Sequence, residues 1–194
     1  MTLKRVYAHD SIYSQALSAV IQIVEFFKVR TDADPFLDPV ANEAQFKLLK
    51  GLYADIETSE FKIAVGGGKP LADRKGYIFP ATVVDNPPDS ATTVEQWQFG
   101  LVLPLLRWSG ESNAINRANN ADTGLGASVW TRDDAQAIRI AIQLEAGNVW
   151  INTHAEIAPS PPLGGHKQSG LGVEWGVEGL KAYCNLRAVH TKPS

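Results

Sequence analysis

Cysteine is almost absent: Cys184 is the one thiol among 194 residues. A lone cysteine excludes an internal disulfide and cannot by itself build a thiolate metal site. Long apolar runs are missing too, and none approaches the length needed to cross a bilayer. The opening stretch, MTLKRVYAHD, has no apolar core of the kind a secretory leader requires. Neither sign of charge prevails. With 18 basic and 21 acidic residues the net charge is −3, which gives no reason to expect nucleic acid or an anionic membrane as partner. Internal repeats, low-complexity tracts and convincing linkers are also lacking. These absences leave an intracellular, cytoplasmic protein as the expectation.

What is present is an ordinary globular composition. Hydrophobic residues at 44% and charged residues at 20%, in a chain of this length, suit one domain with a real core. Val6 to Ala8 reads as a short strand. Ser11 then serves as N-cap for a helix from Ile12 to about Val29, with Leu17, Val20, Ile21, Val24 and Phe27 at helical spacing. The prolines and aspartates of TDADPFLDP break it. A second helix spans Ala41 to about Glu57, with Phe46, Leu49, Leu52 and Ile56 on one face. Lys62 to Val65 is a strand, GGGKPLADRKG a loop, and Tyr77 to Val84 another strand. Trp97 to Trp108 reads as loop then strand, Glu111 to Asn120 as helix, Gly126 to Trp130 as strand, and Asp133 to Ala146 as helix. Alternation of strand and helix argues for an α/β domain with a largely parallel sheet flanked by helices.

The most informative stretch is Gly147 to Tyr183. Val149, Trp150 and Ile151 suit a buried strand. Asn152 to Pro162 is a loop with three prolines, and Glu174 to Tyr183 returns to a helical pattern. The glycines Gly164, Gly165, Gly170 and Gly172 between them imply close backbone approach or positive φ. Leu186 to His190 is one more candidate strand.

The same stretch resembles the C-terminal part of the catalytic domain of NAD(P)-dependent aldehyde dehydrogenases. That family reads approximately G-x-V-W-V-N, a variable loop, P-F-G-G-x-K-x-S-G, then E-x-G-x-x-G-L-x-x-Y. The matching positions here are Gly147, Val149, Trp150, Asn152, Pro162, Gly164, Gly165, Lys167, Ser169, Gly170, Glu174, Gly176, Gly179, Leu180 and Tyr183. PVANEAQF, GGGKP and GYIFPATVV extend the likeness upstream, and the closest resemblance is to betaine-aldehyde-dehydrogenase-like members. It implies a catalytic-type domain over 1–185, followed by a C-terminal strand or tail over 186–194 that serves oligomerisation.

The resemblance also sets expectations about chemistry. The family oxidises an aldehyde through a cysteine thiolate and passes hydride to nicotinamide. Its reactive cysteine precedes a stretch like Lys4-Arg5-Val6-Tyr7-Ala8-His9, so here the nucleophile would fall at or just before Met1. The dinucleotide-binding domain would lie further upstream, and Gly66-Gly67-Gly68 lacks the fingerprint that could replace it. Cys184, at a helix end, reads as structural. The expectation is no cofactor, no metal and no NAD-dependent oxidation by the chain alone.

Two departures fall where the family touches cofactor and substrate. Its E-E-x-F-G-P, whose second glutamate holds the nicotinamide ribose, becomes Gln96-Trp97-Gln98-Phe99-Gly100-Leu101. Its P-F-G-G becomes Pro162-Leu163-Gly164-Gly165. Substrate-binding candidates are therefore Trp97, Gln98, Phe99, Asn152 and Leu163. His154 and Glu156, in the loop that resembles the family's substrate entrance, are the catalytic candidates for acid–base work. The plainer alternative makes both of them solvated loop residues, and Trp150 a core residue.

Two functions from different classes follow. One is a repurposed non-redox enzyme, an isomerase, cyclase or other proton-transfer catalyst, acting on an apolar carbonyl-bearing small molecule in specialised metabolism. The other is a non-catalytic protein that binds a ligand, forms a homodimer or docks on a full-length aldehyde dehydrogenase. A third arrangement would have a separate chain supply the cofactor domain.

Overall fold

A computed structural model describes residues 3–27, 37–67 and 76–193. The chain forms two compact units, Met1–Ala114 and Ile115–Ser194, within the stretch that the sequence reading treats as one domain.

The first unit runs β1 (Val6–His9), α1 (Tyr13–Glu25), α2 (Glu43–Thr58), β2 (Ile63–Val65), β3 (Thr82–Asp85), α3 (Thr92–Glu95) and β4 (Val102–Trp108). Among the described residues its four strands form one sheet in the order β1-β4-β3-β2. β4 pairs in parallel with both β1 and β3, while β2 runs antiparallel on the far edge. The sheet is thus mixed and mostly parallel, with helices on both faces.

Strand periodicity explains the two faces. Val83 points to one side, where it packs with Tyr13 of α1, Ala8 and Leu105, backed by Leu17, Val20 and Val24. Val84 points to the other, where it meets Leu49, Leu52, Tyr53 and Ile56 of α2 together with Phe79 and Val102. Leu106 shares that second side with Ala91 and Val94 around α3. The Tyr53 ring stacks flat on Phe79, with centroids 4.9 Å apart. Its hydroxyl donates to Pro80 O at 2.8 Å, so the buried phenol keeps a partner.

The helix starts differ from one another. α2 begins at Asn42, whose side chain accepts from Gln45 N at 2.9 Å, as an N-cap should. α1 begins at Ile12 with no side-chain cap. The cap expected of Ser11 does not form, because its hydroxyl pairs with His9 Nδ1 at 2.8 Å. α1 also stops earlier than its apolar pattern suggests, at Glu25. The strand expected from Tyr77 shortens to Thr82–Asp85. The turn expected at 31–39 and the loop at 66–76 fall partly outside the described residues.

The division between the units lies within α4 (Glu111–Asn119), after which come β5 (Thr123–Gly124), β6 (Gly126–Val129), α5 (Asp134–Ala141), β7 (Asn148–Ile151), β8 (Leu163–Gly164), β9 (His166–Lys167), β10 (Val173–Glu174) and α6 (Gly176–Lys181). Here the strands pair in three short ladders. β6 and β7 are parallel, whereas β5–β9 and β8–β10 are antiparallel. α5 ends at Ala141, five residues short of the expected end.

The glycines of the family-like stretch bring backbone against backbone. A Cβ on Gly147 would lie 1.9 Å from Gly164 O, a distance no real side chain tolerates. Lys167 completes the knot, its ammonium donating to Asn119 O at 2.5 Å and Ala121 O at 3.0 Å and pairing with Glu145 at 2.5 Å. Beyond α6 the expected strand at Leu186–His190 does not form, and Leu186 and Val189 stand in solvent. A strand needs a neighbouring edge to pair with.

Candidate functional site

In the first unit the candidates cluster in the turn between α3 and β4. Trp97 and Phe99 stack with centroids 4.5 Å apart and an interplanar angle of 30°. Phe99 holds a positive φ of 41° and is largely exposed, while Trp97 is half-buried. Gln98, between them, turns inward and is 2% exposed. Its amide nitrogen donates to Lys4 O at 3.1 Å and Thr93 O at 2.5 Å. From α2, the Gln45 amide donates to the carbonyls of Gln98 and Phe99 at 2.7 and 3.1 Å. The buried Gln98 therefore anchors the turn, and the two rings are what it displays.

Beside Trp97 lies a half-open groove of about 190 Å³. Leu48, Gly51 and Leu52 of α2 form one wall, and Thr92 and Gln96 to Gln98 the other. The helical spacing of the three α2 residues puts them on one stripe. Every lining residue is uncharged.

In the second unit the candidates surround Trp150. β6 and β7 pair so that Ser128 lies opposite Trp150. The indole Nε1 donates to Glu156 O at 2.8 Å, which folds the following loop back over the strands. His154 meets the Trp150 ring edge-on, with centroids 5.6 Å apart. Its Nδ1 pairs with Ser128 Oγ at 2.5 Å, and its Nε2 is buried without a hydrogen-bond partner in the structure. The Glu156 carboxylate accepts from Thr153 Oγ1 at 2.7 Å. Asn152, at φ 55°, accepts from Thr131 N at 3.0 Å and so braces the same loop. Leu163 is half-buried in β8, opposite Glu174.

The structure thus joins His154 to Ser128 and Glu156 to Thr153, rather than His154 to Glu156. Trp150 is half-buried, not sealed in the core. Sequence reasoning missed Ser128 and the α2 stripe. Ser128 stands in a strand among small residues, and only the β6–β7 register reveals what faces it. Gly51 did leave a signal, since a glycine in mid-helix costs stability and asks for a reason.

Among the described residues no group of three or more histidines, cysteines and carboxylates is placed to hold a metal ion. Nor is any described helix long and apolar enough to cross a membrane.

A match to the aldehyde dehydrogenase family covers residues 1–189. A putative aldehyde dehydrogenase, FUS7, from Gibberella moniliformis is 38% identical over 187 residues, which is 96% of this chain and 39% of that protein. Aldehyde dehydrogenase LUC3 from a Fusarium species is 35% identical over 189 residues, covering 96% of this chain and 40% of the other. Among solved structures, an aldehyde dehydrogenase from Bacillus cereus (E194S mutant) superposes with a TM-score of 0.84 at 30% identity, over 93% of this chain and 37% of that one. Betaine aldehyde dehydrogenase from Staphylococcus aureus, in complex with NAD+, gives 0.83 at 33% identity over 93% and 36%. The chain spans about two-fifths of the length of these curated relatives.

Proposed function

Given that the chain belongs to the aldehyde dehydrogenase family, we propose that it handles an apolar, carbonyl-bearing small molecule by proton transfer and not by hydride transfer to NAD. The observation that carries this reading is Trp97. It occupies the position where the family resemblance puts the carboxylate that accepts from the nicotinamide ribose hydroxyls. An indole N–H only donates, and the Trp97 ring is engaged with Phe99. These residues do not fit the ribose.

His154 is the group we assign to proton transfer, imidazole being a side chain that can both give and take a proton. Its hydrogen bond to Ser128 holds the ring, and Glu156, the other acid–base candidate, bonds to Thr153 instead. Keto–enol isomerisation and aldol-type cyclisation both begin by moving a proton beside a carbonyl. A specialised metabolic role fits such chemistry.

The test is hydrogen–deuterium exchange beside the carbonyl of an apolar ketone in D2O, followed by NMR. Exchange above the buffer rate is expected, with loss in His154→Ala and little change in Glu156→Ala. Equal exchange with and without protein, or NADH formation from propanal and NAD by the purified chain, overturns the reading.

A second reading is a non-catalytic protein that assembles with itself or with a full-length dehydrogenase. It is favoured by the exposure of Leu186 and Val189 beyond α6, where the family resemblance implies an intersubunit strand. Light scattering on purified material that found only monomer, alone and after mixing with a full-length relative, would remove it.

A further inference from the structure

We infer that the groove between α2 and the 96–98 turn is a binding site for a neutral, single-ring-sized apolar molecule bearing a carbonyl. The inference rests on the reading of Trp97 as a ligand contact. It does not depend on whether the bound molecule is turned over.

Size comes first. A cavity of roughly 150 Å³ lined by aliphatic and aromatic side chains holds one benzene, whereas sites for drug-sized ligands begin near 300 Å³. At about 190 Å³ this groove takes one substituted ring. Charge comes second. Its walls are uncharged throughout, so an ionised ligand would give up hydration without gaining a counter-charge. Thr92 and Gln96 belong to the lining, and their side chains carry a hydroxyl and an amide, donor types that a carbonyl oxygen can use. The Gln98 amide nitrogen is already committed to the carbonyls of Lys4 and Thr93.

The third argument is Gly51. It sits inside the sixteen-residue helix α2, where glycine is a poor choice. Its φ is not positive, and a Cβ built there would meet nothing within 4 Å. Neither backbone geometry nor packing within the chain calls for a glycine at that point. What the missing side chain leaves is open space in the groove wall. Leu48, one turn earlier, is 47% exposed although apolar, and it borders the same space. Trp97 closes the other side as a flat ring held by Phe99, a surface suited to stacking.

The test uses acetophenone as probe and the full chain labelled with 15N. The Trp97 indole resonance is identified by its loss in Trp97→Phe. Acetophenone is expected to move that resonance saturably while leaving the Trp150 indole in place. Gly51→Met, which fills the space and favours the helix, is expected to weaken binding at least tenfold with the circular dichroism spectrum retained. Leu48→Glu, at an exposed position, is expected to do the same and serves if the methionine variant fails to fold. Benzoate is expected to bind at least tenfold more weakly than acetophenone, and NAD is expected not to displace it. No saturable shift at Trp97, wild-type binding in the folded groove variants, equal binding of benzoate, or displacement by NAD would each overturn the assignment. Binding without carbon-bound proton exchange would leave the site standing and remove the proton-transfer reading alone.

Discussion

Ser128 Oγ and His154 Nδ1 lie 2.5 Å apart, joining the middle of β6 to the loop beyond β7 across 26 residues of chain. The Glu156 carboxylate instead accepts from Thr153 Oγ1. Removing the serine hydroxyl leaves a part-buried ring nitrogen unpaired. Ser128→Ala is therefore expected to cost about 1–3 kcal/mol in urea unfolding, and to move the 15N shifts of the His154 ring. Glu156→Ala touches an exposed group and is expected to stay within about 0.5 kcal/mol with those shifts unchanged. The reverse pattern would restore the His154–Glu156 pair as the working unit.

Much of the architecture was legible in the sequence because burial imposes a period. Val83 and Val84 separate to opposite sheet faces, and Leu49, Leu52, Tyr53 and Ile56 recur at helical spacing, as any α/β layer requires. Asn42 opens α2 as an N-cap, although sequence reasoning did not single it out. Ser11 failed as one because His9 competed for its hydroxyl, a contact no cap rule anticipates. The site was harder. Trp97 and Phe99 could be read from the resemblance to, and departure from, the family's E-E-x-F-G-P, but Ser128 depends on the β6–β7 register, which propensities do not encode. Leu186 to His190 has strand-like composition, yet strand formation depends on a partner edge.

A second relationship ties stability to pH. Tyr13 in α1 donates to Asp85 at the end of β3 at 2.6 Å, Lys62 pairs with the same carboxylate at 2.5 Å, and Arg107 lies 3.9 Å over the Tyr13 ring. Burial pushes the Asp85 carboxyl up, but the bonds from Lys62 and Tyr13 and the charges of Lys62 and Arg107 outweigh it, and the group is held below its ordinary value. A depressed folded value means stability fully present above the ordinary carboxylate range near 4, and lost as pH falls through the lower folded value. Asp85→Asn is expected to cost about 1–3 kcal/mol at pH 7. The gap from the parent protein should begin to narrow below about pH 4 and vanish once pH has fallen through the lower folded value. Denaturant melts at several pH values check this, and a gap that widens on acidification would contradict it.

Gly147 tests how far the family-like stretch is a packing device. Its Cα faces Gly164 O so closely that any added carbon displaces backbone, not a movable side chain. Overpacking of this kind costs about 1–3 kcal/mol, and more where the neighbour is rigid. Gly147→Ala should therefore lower the unfolding midpoint clearly. Gly51→Ala, with open space around it, should raise stability by about 0.5–1 kcal/mol. Two glycine-to-alanine changes of opposite sign, measured by the same denaturant titration, would separate close approach from vacancy.

Trp175 gives a cleaner measure of stored backbone strain. It precedes α6 at φ 60° and ψ 174°, a region that is essentially glycine's own, and Gly176 follows at φ 59°. Replacing the indole by alanine and by glycine removes the same ring, so comparing the two variants with each other cancels its contacts. Alanine keeps the Cβ that the conformation resists. Glycine releases it, while adding some freedom to the unfolded chain. The strain of a residue held there is about 1–3 kcal/mol, larger than that entropic penalty. Trp175→Gly is expected to be more stable than Trp175→Ala by about 1 kcal/mol in denaturant unfolding. Equal stability, or a more stable alanine variant, would mean that this turn relaxes without penalty and that the positive φ is not imposed by the surrounding loop.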